Sequence, residues 1–131
     1  MAAVRFTLAV CAGTLAIAAA PAPPAPASPL SSYQSAADIA RGKSLFAGTC
    51  GAYCHRPGTT AGPATDAPNL FDCDWRHGGS DVDIFHTITT GVAGTRMVAF
   101  GGALPDAEIW RIIAYLRSAS QCPKPTTGNT P

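Results

Sequence analysis

Two thiols and an imidazole fall within six consecutive residues, Cys50-Gly51-Ala52-Tyr53-Cys54-His55. A chain that gathers soft ligands this tightly, directly behind a predicted helix, has to fold so that the three side chains act together. The rest of the sequence sharpens that constraint. Of 131 residues, those from Met1 to Pro29 carry one charged side chain, Arg5, and are mostly Ala and Pro. Part of the 47% hydrophobic content therefore belongs to a leader and not to a core. What remains is one domain of roughly 85–90 residues, small enough to need a staple or a bound group to complete its interior. At this length no large multidomain enzyme is expected.

Arg5, the apolar run from Phe6 to Ala20 and the small residues after it have the parts of a secretory signal, shorter than the about 20 apolar residues of a membrane span. Residues 1–27 are read as that signal, with Ala25-Pro26-Ala27 favouring processing near Ala27 and a site after Ala18 as the second choice. Lipidation of Cys11 is disfavoured because Val10 is bulkier than the small residue normally found there, and an uncleaved leader acting as an anchor is the third reading. All three export the chain, to the periplasm. Residues 28–36 read as a Pro/Ala/Ser-rich disordered lead-in, residues 37–122 as the domain and residues 123–131 as a disordered tail. Without Arg5, eight basic side chains balance eight acidic ones, which argues against a nucleic-acid or polybasic membrane surface. Export also leaves four cysteines in an oxidising compartment: Cys50, Cys54, Cys73 and Cys122.

Three helices are predicted. From Ala37 to Ala47, Ile39, Ala40, Leu45 and Phe46 form an apolar face, with Asp38 near the start and Gly48 just after the end. Asp81 to Thr90 repeats Val82, Ile84, Phe85 and Ile88 at helical spacing. Leu104-Pro105-Asp106-Ala107-Glu108 reads as a helix start, and Ile109, Ile112, Ile113 and Leu116 carry its stripe through to Arg117. The connections are long and rich in Gly and Pro, and no segment alternates as a strand would. The fold class is all-α, three to four short helices with long loops.

Two thiols this close can add to the two vinyl groups of a haem, and the adjacent imidazole is then held beneath the iron. The usual signature has two residues between the cysteines; here there are three. A local Cys50–Cys54 disulfide is sterically allowed but leaves His55 and the thin core unexplained. Zinc would want a second paired cluster, and a thioredoxin-like centre a βαβ context that is absent. Met97, the one methionine left after Met1, sits in a Gly-flanked loop 42 residues beyond His55. A thioether there is a candidate sixth ligand that would raise the haem potential, against the commoner role of Met as core filler.

Taken together, these residues resemble class I cytochromes c. The likeness runs from Gly42-Lys43-Ser44-Leu45-Phe46 through the Cys50/Cys54/His55 site and Pro68-Asn69-Leu70 to Met97-Val98-Ala99-Phe100. It ends with Leu104-Pro105-Asp106-Ala107-Glu108-Ile109-Trp110 and Ala114-Tyr115-Leu116. The resemblance implies one covalent haem c on Cys50 and Cys54, with His55 as proximal and Met97 as distal ligand. It implies that the first helix crosses the last, Gly42 allowing close approach and Phe46 meeting the Tyr115 region. It also implies that a Pro carbonyl accepts the proximal imidazole N–H, Pro68 matching better than Pro63, with Leu70 beside it at the haem. The three-residue gap and Val98, where a Pro commonly follows the ligand Met, depart from the family pattern.

His77 and His86 are alternative sixth ligands, and Trp75 either donates to a haem propionate or packs over the porphyrin edge. Cys73 and Cys122, left once haem takes its pair, are expected to form a disulfide whose 49-residue closure is worth about 4 kcal/mol. With both axial positions filled, the expected function is one-electron transfer and not catalysis. The stretch from Pro68 to Thr95 resembles cytochromes serving periplasmic dehydrogenases, including quinoprotein alcohol-oxidising enzymes, with a terminal oxidase as the onward partner. The alternative is a haem-based ligand sensor or peroxide-reducing protein with a labile Met97.

Overall fold

The computed structural model describes residues 28–56 and 66–122. The leader, Pro63 and the tail beyond Cys122 lie outside them. Three α-helices are present among the described residues, α1 (Ala36–Leu45), α2 (Asp81–Thr90) and α3 (Asp106–Ala119), with no strand beyond an isolated bridge between Gly101 and Leu104. This is the all-α architecture expected from the periodicity.

Local chemistry sets the helix starts. The Ser35 hydroxyl accepts from the Asp38 N–H at 3.1 Å to cap α1. Ser80 and Asp83 form a reciprocal capping box on α2, each side chain accepting the other's backbone N–H at 3.1 Å. At the start of α3 no side chain caps, but Pro105 precedes it and Asp106 and Glu108 occupy its first turn, where they suit the helix dipole.

α1 packs on α3 at a crossing that leaves no room for a side chain. A Cβ on Gly42 would lie 1.9 Å from the Arg111 carbonyl oxygen. Ionic contacts flank the crossing: Arg111 donates from Nε to Asp38 Oδ1 at 2.8 Å, and Arg41 donates to Glu108 at 3.0 Å. On either side of α3 lie two apolar groups. Leu30, Ile84, Ile88, Ile109, Trp110, Ile113 and Ala114 form one, with Phe85 stacked on Trp110 at 4.5 Å. Phe46, Phe71, Ile112 and Leu116 form the other, with the Phe46, Phe71 and Tyr115 rings 5.3–5.8 Å apart.

Two expectations need correction. The lead-in is structured from its first described residues: Pro29–Tyr33 is a 3₁₀ turn capped by Ser28, and Leu30 is buried in the core beside α3. Arg111 lies over the Tyr33 ring, 5.6 Å from its centroid, and holds this turn against the body. The first helix does not stop before Gly48; it widens into a π-helical turn, Phe46–Gly51. The predicted contact between Phe46 and Tyr115 is present, and α2 has the bounds expected.

Asp38 links the first helix to acid stability. The Ser35 hydroxyl, first, and the Arg111 guanidinium, second, hold its carboxyl below the ordinary value of 3.8. A carboxyl depressed by folding stabilises fully above its unfolded pKa of about 4 and loses that contribution as pH falls through the lower folded value. Asp38→Asn is therefore expected to lower stability at neutral pH and to flatten the acid limb below about pH 4. Urea midpoints of both proteins across that range check it.

Cys73 and Cys122 meet across the end of α3. Their Cα atoms are 5.4 Å apart, within the span a disulfide bridges, and the Gln121 N–H donates to the Phe71 carbonyl at 2.9 Å beside them.

Candidate functional site

The π-helical turn delivers Cys50, Cys54 and His55 to one end of a cavity of ≈ 370 Å³, within the range of about 300–1,000 Å³ typical of cofactor pockets. Both thiols are free. Ile84 and Ile88 of α2, Ile112 and Leu116 of α3, and Phe46, Leu70 and Phe100 supply an apolar lining. Burial, and secondarily the neighbouring Cys54, push the Cys50 thiol up to about 11. Such a site favours uncharged sulfur, as in a thioether, and opposes the thiolate that zinc requires. Among the described residues no group of three or more His, Cys, Asp or Glu side chains converges to hold a metal ion.

His55 is oriented by one hydrogen bond. Its Nδ1 lies 2.9 Å from the Pro68 carbonyl oxygen. A carbonyl can only accept, so Nδ1 carries the hydrogen and Nε2 keeps the lone pair that a metal would use. The bond also strengthens that lone pair as a donor to a metal. Beyond Pro68, Asn69 Oδ1 accepts the Phe71 N–H at 3.0 Å. This turn anchors the loop through buried Phe71 and leaves Leu70 at the cavity.

Met97 lies on the same cavity, on the loop between α2 and α3. Its carbonyl accepts the Val92 N–H at 2.9 Å and its N–H donates to the Thr95 hydroxyl at 3.1 Å. Past it, the Phe100 and Gly101 N–H groups donate to Ile88 and Thr89 at the end of α2, both at 3.0 Å. These bonds fix a loop in which Val98 is 62% exposed. Asp66 and Arg96 pair between the Pro68 and Met97 loops, but this exposed pair adds little to stability.

The two histidines considered as alternatives separate clearly. His77 lines the cavity, whereas His86 is exposed on α2 and does not. Trp75 lines it as well and is held from behind by Arg117, whose guanidinium lies 5.5 Å from the indole centroid. Arg117 donates to Asp81 Oδ1 at 2.8 Å and to the Gly79 carbonyl at 2.5 Å. Sequence reasoning missed this role for Arg117, which looked like an ordinary basic residue in a last helical turn. The residues present fit a haem: an apolar cavity, two free thiols, an imidazole with Nε2 left free of the Pro68 bond and a thioether.

A family described as "Cytochrome C oxidase, cbb3-type, subunit III" matches residues 37–116, the stretch that builds most of this cavity. The chain belongs to this cytochrome c family. Its cofactor is covalently bound haem c. Among curated relatives, the cbb3-type cytochrome c oxidase subunit FixP of Bradyrhizobium sp. (strain ORS 278) is 44% identical over 93 residues, covering 64% of this chain and 31% of that protein. A thiosulfate dehydrogenase of Stutzerimonas stutzeri (strain A1501) is 32% identical, covering 65% of this chain and 28% of its own length. Cytochrome c6 of Picosynechococcus sp. (strain ATCC 27264 / PCC 7002 / PR-6) is 32% identical, covering 66% of this chain and 77% of its own. The chain thus spans about a third of the oxidase subunits it matches. No solved structure shows significant similarity to it. Among the described residues no helix is long and apolar enough to cross a membrane.

Proposed function

We propose that this cytochrome c is an exported, periplasmic one-electron carrier whose haem is attached through Cys50 and Cys54 and ligated by His55 Nε2 and Met97. The observation that carries the reading is the 2.9 Å contact from His55 Nδ1 to the Pro68 carbonyl. It selects the tautomer a metal-bound imidazole needs and does so on the wall of a cavity that also holds both thiols and the one thioether among the described residues. The bound haem supplies a one-electron couple. The chain orients the imidazole through Pro68, excludes water with Phe46, Ile84, Ile112 and Leu116, and holds Met97 in a loop pinned to the end of α2.

Electrons enter from a periplasmic dehydrogenase, quinoprotein enzymes being one candidate class, and leave towards a terminal oxidase. Similarity to a thiosulfate dehydrogenase and to cbb3-type oxidase subunits supports both ends of that route. Tyr53, 78% exposed, and Val98 lie at the cavity rim, an apolar edge suited to brief docking. The test is a carbon monoxide titration of the ferrous protein. A carrier with Met97 bound resists the gas, whereas stoichiometric binding at low concentration favours the ligand-sensing or peroxide-reducing alternative.

A Cys73–Cys122 disulfide belongs to the same reading. It closes the loop that carries α2, Met97 and α3, and Cys73→Ser is expected to cost about 2–4 kcal/mol. Urea unfolding checks this. The wild-type protein in reductant should fall to the variant's midpoint, and equal midpoints in all samples would show that no bond is present.

A further inference from the structure

The spacing from Cys50 to Cys54 is one residue longer than the usual attachment signature, and the backbone there is wound one residue wider than an α-helix. Phe46–Gly51 is π-helical. One more wide turn follows: the Cys50 carbonyl accepts the His55 N–H, five residues on, at 2.9 Å, more closely than the Cys54 N–H, four residues on, at 3.2 Å. A turn closed from i to i+5 holds about 4.4 residues, against 3.6 in an α-helix. Viewed down an α-helix, the residues three and four beyond a first lie about 60° behind it and about 40° ahead. In a π-turn the residues four and five beyond lie about 33° behind and about 49° ahead. Wide winding therefore gives Cys50, Cys54 and His55 nearly the angular order that α winding gives a two-residue gap.

Gly51 is where that winding meets the core. It is buried, and a Cβ on it would lie 3.1 Å from Cε1 and 3.4 Å from Cδ1 of the Phe46 ring. That ring is 1% exposed and wedged against Phe71 and Tyr115, so it has little room to yield.

We propose that the extra residue of the attachment loop is taken up by π winding from Phe46 through His55, with Gly51 as a positioning residue, so that Cys54 and His55 meet the haem in the register of the shorter spacing. This rests on the assignment of Cys50, Cys54 and His55 as attachment and ligand residues. In each attachment a thiol S–H adds across a vinyl C=C: a C–S and a C–H bond form, the S–H bond and the vinyl π bond are lost, and no oxidant is consumed.

Deletion of Ala52, an exposed residue, tests the register. The shortened chain is expected to close an ordinary α-turn, to attach haem through both sulfurs and to keep the reduced absorption maximum and potential of the wild type. Attachment through one sulfur, seen as a red-shifted reduced band, while Ala52→Gly keeps two, overturns the proposal. Gly51 gives a second arm: Gly51→Val should lower the doubly attached fraction by roughly tenfold relative to Gly51→Ala, and equal fractions overturn it. NMR of the backbone from Phe46 to His55 separates this inference from the ligation reading. It reports π or α winding whether or not haem is attached, and an α pattern there overturns the proposal. A wild-type chain that attaches no haem while still showing π winding counts against the ligation reading instead.

Discussion

Met97→Ala is expected to turn a ligand-resistant iron into an open one. With Met97 bound, the binding-competent form is a small fraction of the ferrous protein, and apparent affinity for carbon monoxide falls by that fraction. If the open form is about 1%, the variant binds roughly a hundredfold more tightly. The same change should lower the reduction potential, because a soft thioether favours the reduced iron, and should remove the weak red-edge band of a ferric His/Met haem. The fold is expected to survive, since the Met97 backbone bonds to Val92 and Thr95 do not depend on its side chain. Carbon monoxide titration, potentiometry and the ferric absorption spectrum of the purified variant check the three effects. Unchanged carbon monoxide affinity would remove Met97 from the iron.

Gly42→Val is expected to prevent the domain from forming. The Cβ position at Gly42 is 1.9 Å from the Arg111 carbonyl oxygen and 2.5 Å from its carbon, both backbone atoms inside a helix. No rotamer change relieves that overlap, so α1 and α3 must separate. Overpacking elsewhere costs about 1–3 kcal/mol because side chains can shift. Here separation would also open Ile112 and Leu116 to water and break the Asp38–Arg111 and Arg41–Glu108 pairs. Against a total stability of about 5–15 kcal/mol, the expected result is little or no folded, haem-bearing protein. Gly42→Ala should be intermediate. Far-ultraviolet circular dichroism and haem content of the exported fraction check this, and a wild-type yield of Gly42→Val would refute the close approach.

How much of this was legible in the sequence varied with the physics of each element. α2 and α3 follow from apolar spacing, an acidic first turn and turn residues at their ends, all local signals. The 3₁₀ turn at Pro29–Tyr33 was not, because a single Leu30 among Pro and Ser carries no periodicity; its burial depends on the tertiary surface of α3. The π-turn was hidden for a related reason. No residue type marks such winding, and Gly48 looked like a helix stop. The residues Cys50, Cys54, His55, Pro68 and Met97 could be named from spacing and resemblance. Pro68 as the partner of His55 came from the resemblance and is the carbonyl its Nδ1 meets, whereas that His77 but not His86 reaches the cavity required three dimensions. Arg117 behind Trp75 had no sequence signal, since its partners lie about 40 positions away.

The central proposal is that Cys50 and Cys54 attach one haem covalently in this cavity. The most direct measurement is the intact mass of the exported protein after acid–acetone extraction, with Cys50→Ser/Cys54→Ser beside it. The expected result is the mass of the polypeptide plus one haem for the wild type, and the bare polypeptide for the double variant. A wild-type protein that loses its haem to the solvent, or a double variant that retains it, would contradict the claim.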